Sequence, residues 1–177
     1  MTRSELEHII RAAGTIADDT EIVIIGSQSV LGQFPNAPVL LLASMEADVY
    51  PKHAVDRADV IDGSIGEGSA FHESFGYYAQ GVGPRTATLP AGWQRRLVPI
   101  SNANTNGITG LCLEVHDLAV SKYVAGREKG LEFTAPLALH GMTTRATLLA
   151  RLRRTRVSAG LRPIINGRIL RNFPGVS

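Results

Sequence analysis

Two acidic side chains stand two residues apart in a segment with the composition of a β-strand. Glu46 and Asp48 lie within residues 45–50, between small and β-branched neighbours. Because side chains at positions i and i+2 of a strand point to the same face, the two carboxylates can converge on one point. Carboxylate oxygens are ligands that Mg²⁺ prefers, and Mg²⁺ keeps positions open for substrate phosphates. We therefore predict that Glu46 and Asp48 bind a divalent cation, Mg²⁺ or Mn²⁺. The alternative is an exposed acid pair on an edge strand.

A glycine–serine turn follows the first strongly β-branched segment of the chain. Residues 21–25 read as a buried strand, Gly26 and Ser27 follow, and residues 28–34 read as a short helix. The start of a helix presents backbone N–H groups to an anion. We predict that Gly26 and Ser27 bind phosphate groups. The alternative is an ordinary strand-to-helix turn in which Ser27 caps the helix. Neither a Walker A loop nor a G-x-G-x-x-G fingerprint is present.

The order of these two motifs resembles that of the DNA polymerase β-like nucleotidyltransferase superfamily. Within it, residues 21–130 look most similar to the small bacterial nucleotidyltransferases related to the AbiEii toxins of toxin–antitoxin systems. The resemblance implies that the turn at Gly26 and Ser27 holds a triphosphate and that Glu46 and Asp48 bind the metal. It also implies a third carboxylate on a later strand. Residues 75–80 have none, which leaves Glu73 and Glu114 as candidates.

Residues 117–129 resemble the AbiEii-like pattern of an acidic helix start, a lysine five positions on, and then a basic cluster. The resemblance implies that Lys122 acts in catalysis and that Lys122, Arg127 and Lys129 bind the nucleotide. We predict one helix from Asp117 to Lys129, with Lys122 and Lys129 on one face because they are seven residues apart. The alternative is that Asp117 caps the helix and the basic residues are surface charges.

The remaining pattern predicts a mixed α/β (α+β) fold, with a nucleotidyltransferase-like sheet flanked by helices and a helical C-terminal part. The predicted domains are a core over residues 1–133 and a basic helical extension, residues 134–177, packed on it. The final segment, 173–177, is predicted to be a loose end. Strands are predicted at 21–25, 46–50, 75–82, 95–100 and 111–115, a loop at 62–69, and helices at 3–17, 55–61, 117–129, 132–140, 144–154 and 159–170.

Charge is distributed unevenly along the chain. Residues 1–133 carry 10 Lys and Arg against 16 Asp and Glu, a net of −6, whereas residues 134–177 carry 8 Arg and no acid. Such a segment is either a candidate nucleic-acid-binding surface or a solvated helix face.

The single cysteine excludes an internal disulfide and favours a cytoplasmic setting. No apolar run approaches the roughly 18 residues of a membrane span.

Together these features predict a metal-dependent nucleotidyltransferase that moves a nucleotide from an NTP to a hydroxyl group of RNA or protein. A cognate toxin–antitoxin partner is implied by the resemblance alone. Two alternatives stay open. The chain could be a catalytically degenerate binding protein with the same fold, or a nucleic-acid-binding protein that uses its Arg-rich C-terminal helices.

Overall fold

The structure is a computed structural model that describes residues 1–175; Val176 and Ser177, part of the predicted C-terminal loose end, lie outside the described residues. The strands are β1 (Glu21–Ile24), β2 (Glu46–Pro51), β3 (Tyr78–Gly81), β4 (Val98–Ile100) and β5 (Thr109–Cys112). The helices are α1 (Arg3–Ala17), α2 (Val30–Gln33), α3 (Ala58–Ile65), α4 (Ala70–Phe75), α5 (Val115–Ala125), α6 (Glu128–Leu139), α7 (Arg145–Arg153) and α8 (Leu161–Arg171).

The five strands form one mixed sheet in the order β3-β2-β1-β5-β4. Strand β1 pairs antiparallel with β2 and parallel with β5, while β2 and β3 are parallel. Strands β4 and β5 are antiparallel. Because β1 lies at the centre, Ile22, Val23 and Ile24 are almost completely buried, as a continuous β-branched run predicts. The predicted α/β class and mixed sheet are confirmed.

Helix α1 has the bounds that its sequence predicts. The Thr2 side chain accepts a hydrogen bond from the Glu5 backbone N–H, and the Glu5 carboxylate accepts one from the Thr2 backbone N–H. This reciprocal capping box satisfies two N–H groups that a helix start would otherwise leave without partners. The helix buries Leu6, Ile9 and Ile10 completely, so its apolar face belongs to the core of the sheet region.

The described residues divide into two compact units. One contains residues 1–86 and 97–114, with the whole sheet and helices α1–α4; the other contains residues 87–96 and 115–175, with helices α5–α8. The predicted domain boundary at residues 133 and 134 stays a prediction. It falls inside α6, whereas the division by contacts falls immediately before α5.

The strands predicted at 75–82, 95–100 and 111–115 are shorter in the structure, where Phe75 ends α4, residues 93–96 form a 3₁₀ turn and Val115 begins α5. Two further predicted segments differ in kind. The loop predicted at 62–69 is helical up to Ile65, because Ile61 and Ile65 continue the buried face of α3. The helix predicted at 117–129 is wrong as one helix: α5 ends at Ala125, and Gly126 adopts a left-handed φ of 66°. Glycine is the residue that most readily terminates a helix in this conformation.

Within residues 1–175, every helix is too short or too polar to cross a membrane.

Candidate functional site

Strand β2 carries the predicted metal-binding acids on one face. Ala47 and Val49 are completely buried, whereas Glu46 and Asp48 are partly exposed. This alternation follows from the two-residue period of a strand. The two carboxylates therefore share the side of β2 that faces away from the buried Ala47 and Val49.

The glycine of the predicted phosphate turn lies directly against one of these acids. The Ile25 backbone N–H donates to the Asp48 carbonyl at 3.0 Å, which places the end of β1 beside β2. A Cβ atom at position 26 would overlap the Asp48 carboxylate, with Asp48 Cγ only 2.8 Å away. Gly26 has an extended backbone with φ −84°, so the close approach, and not the dihedral angle, requires glycine here.

Ser27 does not cap the helical turn that follows the glycine. Residues 27–29 form a 3₁₀ turn whose N-cap position is Gly26, and no side chain caps it. The Gly26 carbonyl instead accepts from the Ser29 backbone N–H at 3.0 Å and from Ser29 Oγ at 2.8 Å. The alternative in which Ser27 is the N-cap is therefore wrong. The Ser27 hydroxyl has no hydrogen-bond partner within residues 1–175, which leaves it available to a ligand.

Gln28 joins this turn to the segment that leads into β2. Its side chain is completely buried, and its Nε2 donates to the Ser44 carbonyl at 3.2 Å. Ser44 Oγ in turn accepts from the Glu46 backbone N–H at 3.2 Å. Gln28 Oε1 has no partner in the described residues. A buried polar side chain of this kind fixes the turn relative to the start of the acidic strand.

The neighbouring strand β3 adds two polar side chains on the side where the acids lie. In the parallel register, Glu46 is opposite Tyr78 and Asp48 is opposite Gln80, while the buried Ala47 is opposite the buried Ala79. The Tyr78 hydroxyl donates to Glu46 Oε2 at 3.3 Å. Burial, followed by the negative charge of Glu46, raises the pKa of Tyr78 to about 12, so the hydroxyl keeps its proton and remains a donor.

The predicted third carboxylate is not among the residues around the acid pair. Within residues 1–175, no three His, Cys, Asp and Glu side chains are arranged to hold a metal ion. Glu73 lies in α4 and Glu114 lies between β5 and α5, and neither completes such a group. The position opposite Asp48 is occupied by Gln80, an amide that offers an oxygen ligand without a negative charge.

The donor set at β2 fits Mg²⁺ or Mn²⁺. Mg²⁺ is commonly held by one or two carboxylates and completes its coordination with water and substrate phosphates. Glu46 and Asp48 supply two such carboxylates, and the glycine at position 26 admits the Asp48 carboxylate where a Cβ atom would overlap it. The chemistry of the residues present is therefore compatible with the predicted cation.

The predicted basic residues belong to the second compact unit. Lys122 is partly buried on α5, with its Nζ 6.0 Å from the centre of the Phe133 ring. Arg127 is the N-cap residue of α6, and Lys129 is exposed in its first turn. Lys122 and Lys129 therefore lie on different helices, so the prediction of one shared helical face is wrong. Their predicted roles at a nucleotide stay predictions.

Asp117 is part of a buried ion-pair cluster in the first turn of α5. Its side chain is completely buried within the first turn of α5. Arg96 Nε donates to Asp117 Oδ2 at 2.7 Å, and Arg151 Nε lies 3.2 Å from Asp117 Oδ1. One carboxylate thus neutralises two arginines from segments far apart in the sequence.

Sequence reasoning missed Gln28, Tyr78 and Gln80. The alternation of side chains along a strand could have shown that Tyr78 and Gln80 share a face of β3. Their position beside Glu46 and Asp48, however, depends on a parallel register between segments about 30 residues apart. Gln28 gave no signal, because a polar residue after a glycine–serine turn is ordinarily exposed.

The fold and the site define a nucleotidyltransferase-like protein, with a glycine–serine turn at the end of one strand and two carboxylates on the adjacent antiparallel strand. Residues 4–143 match the model of a family described as "Nucleotidyltransferase of unknown function (DUF6036)", and the chain belongs to this family. Comparison with the curated proteins and with the solved structures found no match. The finer resemblance to AbiEii-related toxins stays a prediction.

Proposed function

We propose that this protein transfers a nucleotide from an NTP to a hydroxyl group of an RNA or protein acceptor in a reaction that depends on Mg²⁺ or Mn²⁺. The observation that carries the proposal is the contact between Gly26 and the Asp48 carboxylate. A metal-bound triphosphate needs a phosphate-binding turn and metal-binding carboxylates within a few ångströms of each other. The family match over residues 4–143 supports the same class of reaction.

Each residue has a distinct role in the proposal. Glu46 and Asp48 hold the cation, which when bound supplies charge neutralisation to the phosphates. Ser27 donates its hydroxyl hydrogen to a phosphate oxygen, and Gly26 lets the turn approach the Asp48 carboxylate. Tyr78 orients Glu46 through the hydroxyl hydrogen bond. The predicted part of Lys122, Arg127 and Lys129, which belong to the second compact unit, stays a prediction.

A second candidate function is nucleotide binding without efficient transfer. The observation that favours it is Gln80, which stands opposite Asp48 on the strand next to the acid pair. A carboxylate there could accept the proton of the attacking hydroxyl, whereas an amide cannot act as a base near neutral pH. This candidate predicts metal-dependent NTP affinity without label transfer.

The test for the nucleotide site is thermal unfolding with each of the four NTPs, with and without Mg²⁺ or Mn²⁺. A ligand at 100 times its Kd stabilises the native state by about 2.7 kcal/mol, which raises Tm by about 5–10 °C in a chain of this length. The Glu46→Ala/Asp48→Ala variant should lose the metal-dependent rise. The matched control is Asp56→Ala/Asp59→Ala, which removes the same charge from two exposed acids of the same unit.

Equal responses in both double variants would overturn the assignment of Glu46 and Asp48. Turnover is then measured with an α-labelled NTP and separate RNA and protein acceptors. Label that enters one acceptor with wild type, and not with the Glu46/Asp48 variant, supports transfer. Binding without label on either acceptor supports the second candidate. A toxin–antitoxin role has its own test, which is whether expression of the chain arrests growth and a co-expressed partner relieves it.

A further inference from the structure

The second compact unit concentrates arginine at the junction of α7 and α8. From residue 134 to the end of the chain there are 8 arginines and no Asp or Glu. Arg153, Arg154 and Arg156 fall within four consecutive positions that end α7 and begin the following loop. With Ser158 and Arg162 they line a surface cavity of about 570 Å³. Outside residues 151–156, no stretch of the chain has three arginines so close together.

The arginines of this unit separate into two groups by their partners. Arg151 lies against Asp117, Arg168 donates to the Tyr123 carbonyl at 2.7 Å, and Arg162 donates to the Leu152 and Thr155 carbonyls at 2.7 and 3.1 Å. These three guanidinium groups have structural roles. Part of the positive charge of the unit is therefore already engaged by partners within the protein.

The other three arginines of the cavity have no such role. Arg153, Arg154 and Arg156 are exposed, and within residues 1–175 no carboxylate pairs with any of their guanidinium groups. Like charges held so closely repel one another. A polyanion across the cavity would relieve that repulsion, and the planar guanidinium fork suits phosphate oxygens.

The surroundings of the cavity indicate which polyanion it fits. Thr155, Val157 and Ser158 complete the lining, which contains no aromatic side chain. Base recognition in single strands relies on aromatic stacking, so this surface suits a phosphate backbone without base readout. Insertion into a membrane surface takes exposed apolar side chains in addition to positive charge, and the lining offers only the partly buried Val157.

We propose that the surface formed by Arg153, Arg154, Arg156 and Ser158 binds the phosphate backbone of a nucleic acid, without preference for sequence. Arg162 positions the surface by holding the backbone at the end of α7. Binding here does not depend on the nucleotide site of the other unit.

The test is fluorescence anisotropy with labelled oligouridylate, oligoadenylate and oligothymidylate, using the full chain over a series of salt concentrations. Wild type should bind all three with similar affinity. The Arg153→Gln/Arg154→Gln/Arg156→Gln variant should bind at least about tenfold more weakly. Since each phosphate contact on a single strand contributes about 0.7 to the slope of log K against log salt, the slope should fall by about 2.

The matched control is Arg85→Gln/Arg95→Gln/Arg171→Gln, which removes the same charge from exposed positions outside the cavity lining. It should retain the wild-type slope. Circular dichroism checks that both variants fold. If both variants lost the same affinity for the oligonucleotides, the loss would be explained by net charge alone and the proposal would be overturned. Absence of binding by wild type would also overturn it.

Binding to vesicles that contain anionic lipid is measured in parallel, to test whether the partner is a membrane. Binding to vesicles with no binding to any oligonucleotide would also overturn the proposal. The Glu46→Ala/Asp48→Ala variant should bind oligonucleotide as wild type does. A failure of the NTP site therefore leaves this test unaffected, and the two proposals can be judged separately.

Discussion

The two compact units of this chain carry opposite charge. Residues 1–86 and 97–114 contain 5 Lys and Arg against 13 Asp and Glu, a net of −8. Residues 87–96 and 115–177 contain 13 against 3, a net of +10. The formal charge of the whole chain, +2, conceals this asymmetry. Negative charge in the sheet unit favours binding of the proposed cation, and positive charge in the helical unit favours binding of the proposed nucleic-acid backbone.

Two acids, one from each unit, differ in how they are satisfied. Asp117 of the basic unit is completely buried between Arg96 and Arg151. Glu46 of the acidic unit is partly exposed, and its hydrogen-bond donor is the neutral hydroxyl of Tyr78. A carboxylate with arginine partners has its counter-ions inside the protein. A carboxylate with a neutral donor keeps its charge for an external cation.

The largest expected effect comes from removing the buried acid of the basic unit. Asp117→Ala leaves Arg96 and Arg151 without their shared counter-ion, and breaking a buried ion pair in this way costs about 3–5 kcal/mol. Chemical denaturation measures the loss. The control is Glu132→Ala, an exposed acid of the same unit, which should change the free energy of unfolding by less than about 0.5 kcal/mol. If both variants lost similar free energy of unfolding, the buried ion pairs of Asp117 would not be what stabilises the unit.

The next effect is expected at the contact between the turn and the acid strand. Gly26→Ala places a methyl group on the Asp48 carboxylate, which must move. Such overpacking costs about 1–3 kcal/mol and should abolish the NTP-dependent rise in Tm. Gly63→Ala is the control, because a Cβ atom there meets nothing within 4 Å. Retained NTP binding in Gly26→Ala would show that the contact is not needed for the site.

Asp19 tests whether an acid of the acidic unit can also be satisfied internally. It is buried and accepts hydrogen bonds from the backbone N–H groups of Glu21, His53 and Ala54 at 3.0, 2.6 and 3.2 Å. Burial acts to raise the pKa of Asp19, but these hydrogen bonds outweigh it and hold the pKa below its usual 3.8. Asp19→Ala should therefore cost about 2 kcal/mol at neutral pH.

The pH dependence of that loss has a definite sign. Because the folded pKa of Asp19 is lowered, its contribution is complete above pH 3.8 and disappears as the pH falls through the folded value. Urea denaturation of wild type and Asp19→Ala should therefore converge in strong acid. A difference that stays constant down to pH 2 would show that the carboxylate charge is not responsible.

The smallest expected effect comes from adding charge to the acid pair. Gln80→Asp places a carboxylate opposite Asp48, and ligand charge tunes cation affinity. We expect Mn²⁺ to bind about tenfold more tightly, about 1.4 kcal/mol, as measured by titration calorimetry. Gln94→Asp makes the same change at an exposed position of the other unit. Equal gains in both variants would attribute the effect to net charge.

The sequence predicts those features that depend on local period and capping. The capping box at Thr2 and Glu5, the buried run of β1 and the shared face of Glu46 and Asp48 are all set by residues a few positions apart. The register of β2 against β1 and β3 is set by packing over longer separations, so the Gly26–Asp48 contact and the place of Gln80 could not be inferred. The end of α5 at Gly126 could have been predicted, since a glycine within a helical pattern often marks a helix end.

Arg162 has a consequence for how the arginine surface would meet its ligand. Its guanidinium group ties together the Leu152 and Thr155 carbonyls, and Thr155 is buried with its hydroxyl on the Arg151 carbonyl. The backbone that presents Arg153, Arg154 and Arg156 is thus ordered before any ligand arrives. On the side of the protein, association then loses conformational entropy only in three side chains. We expect the association rate to follow diffusion and salt, with no slow ordering phase.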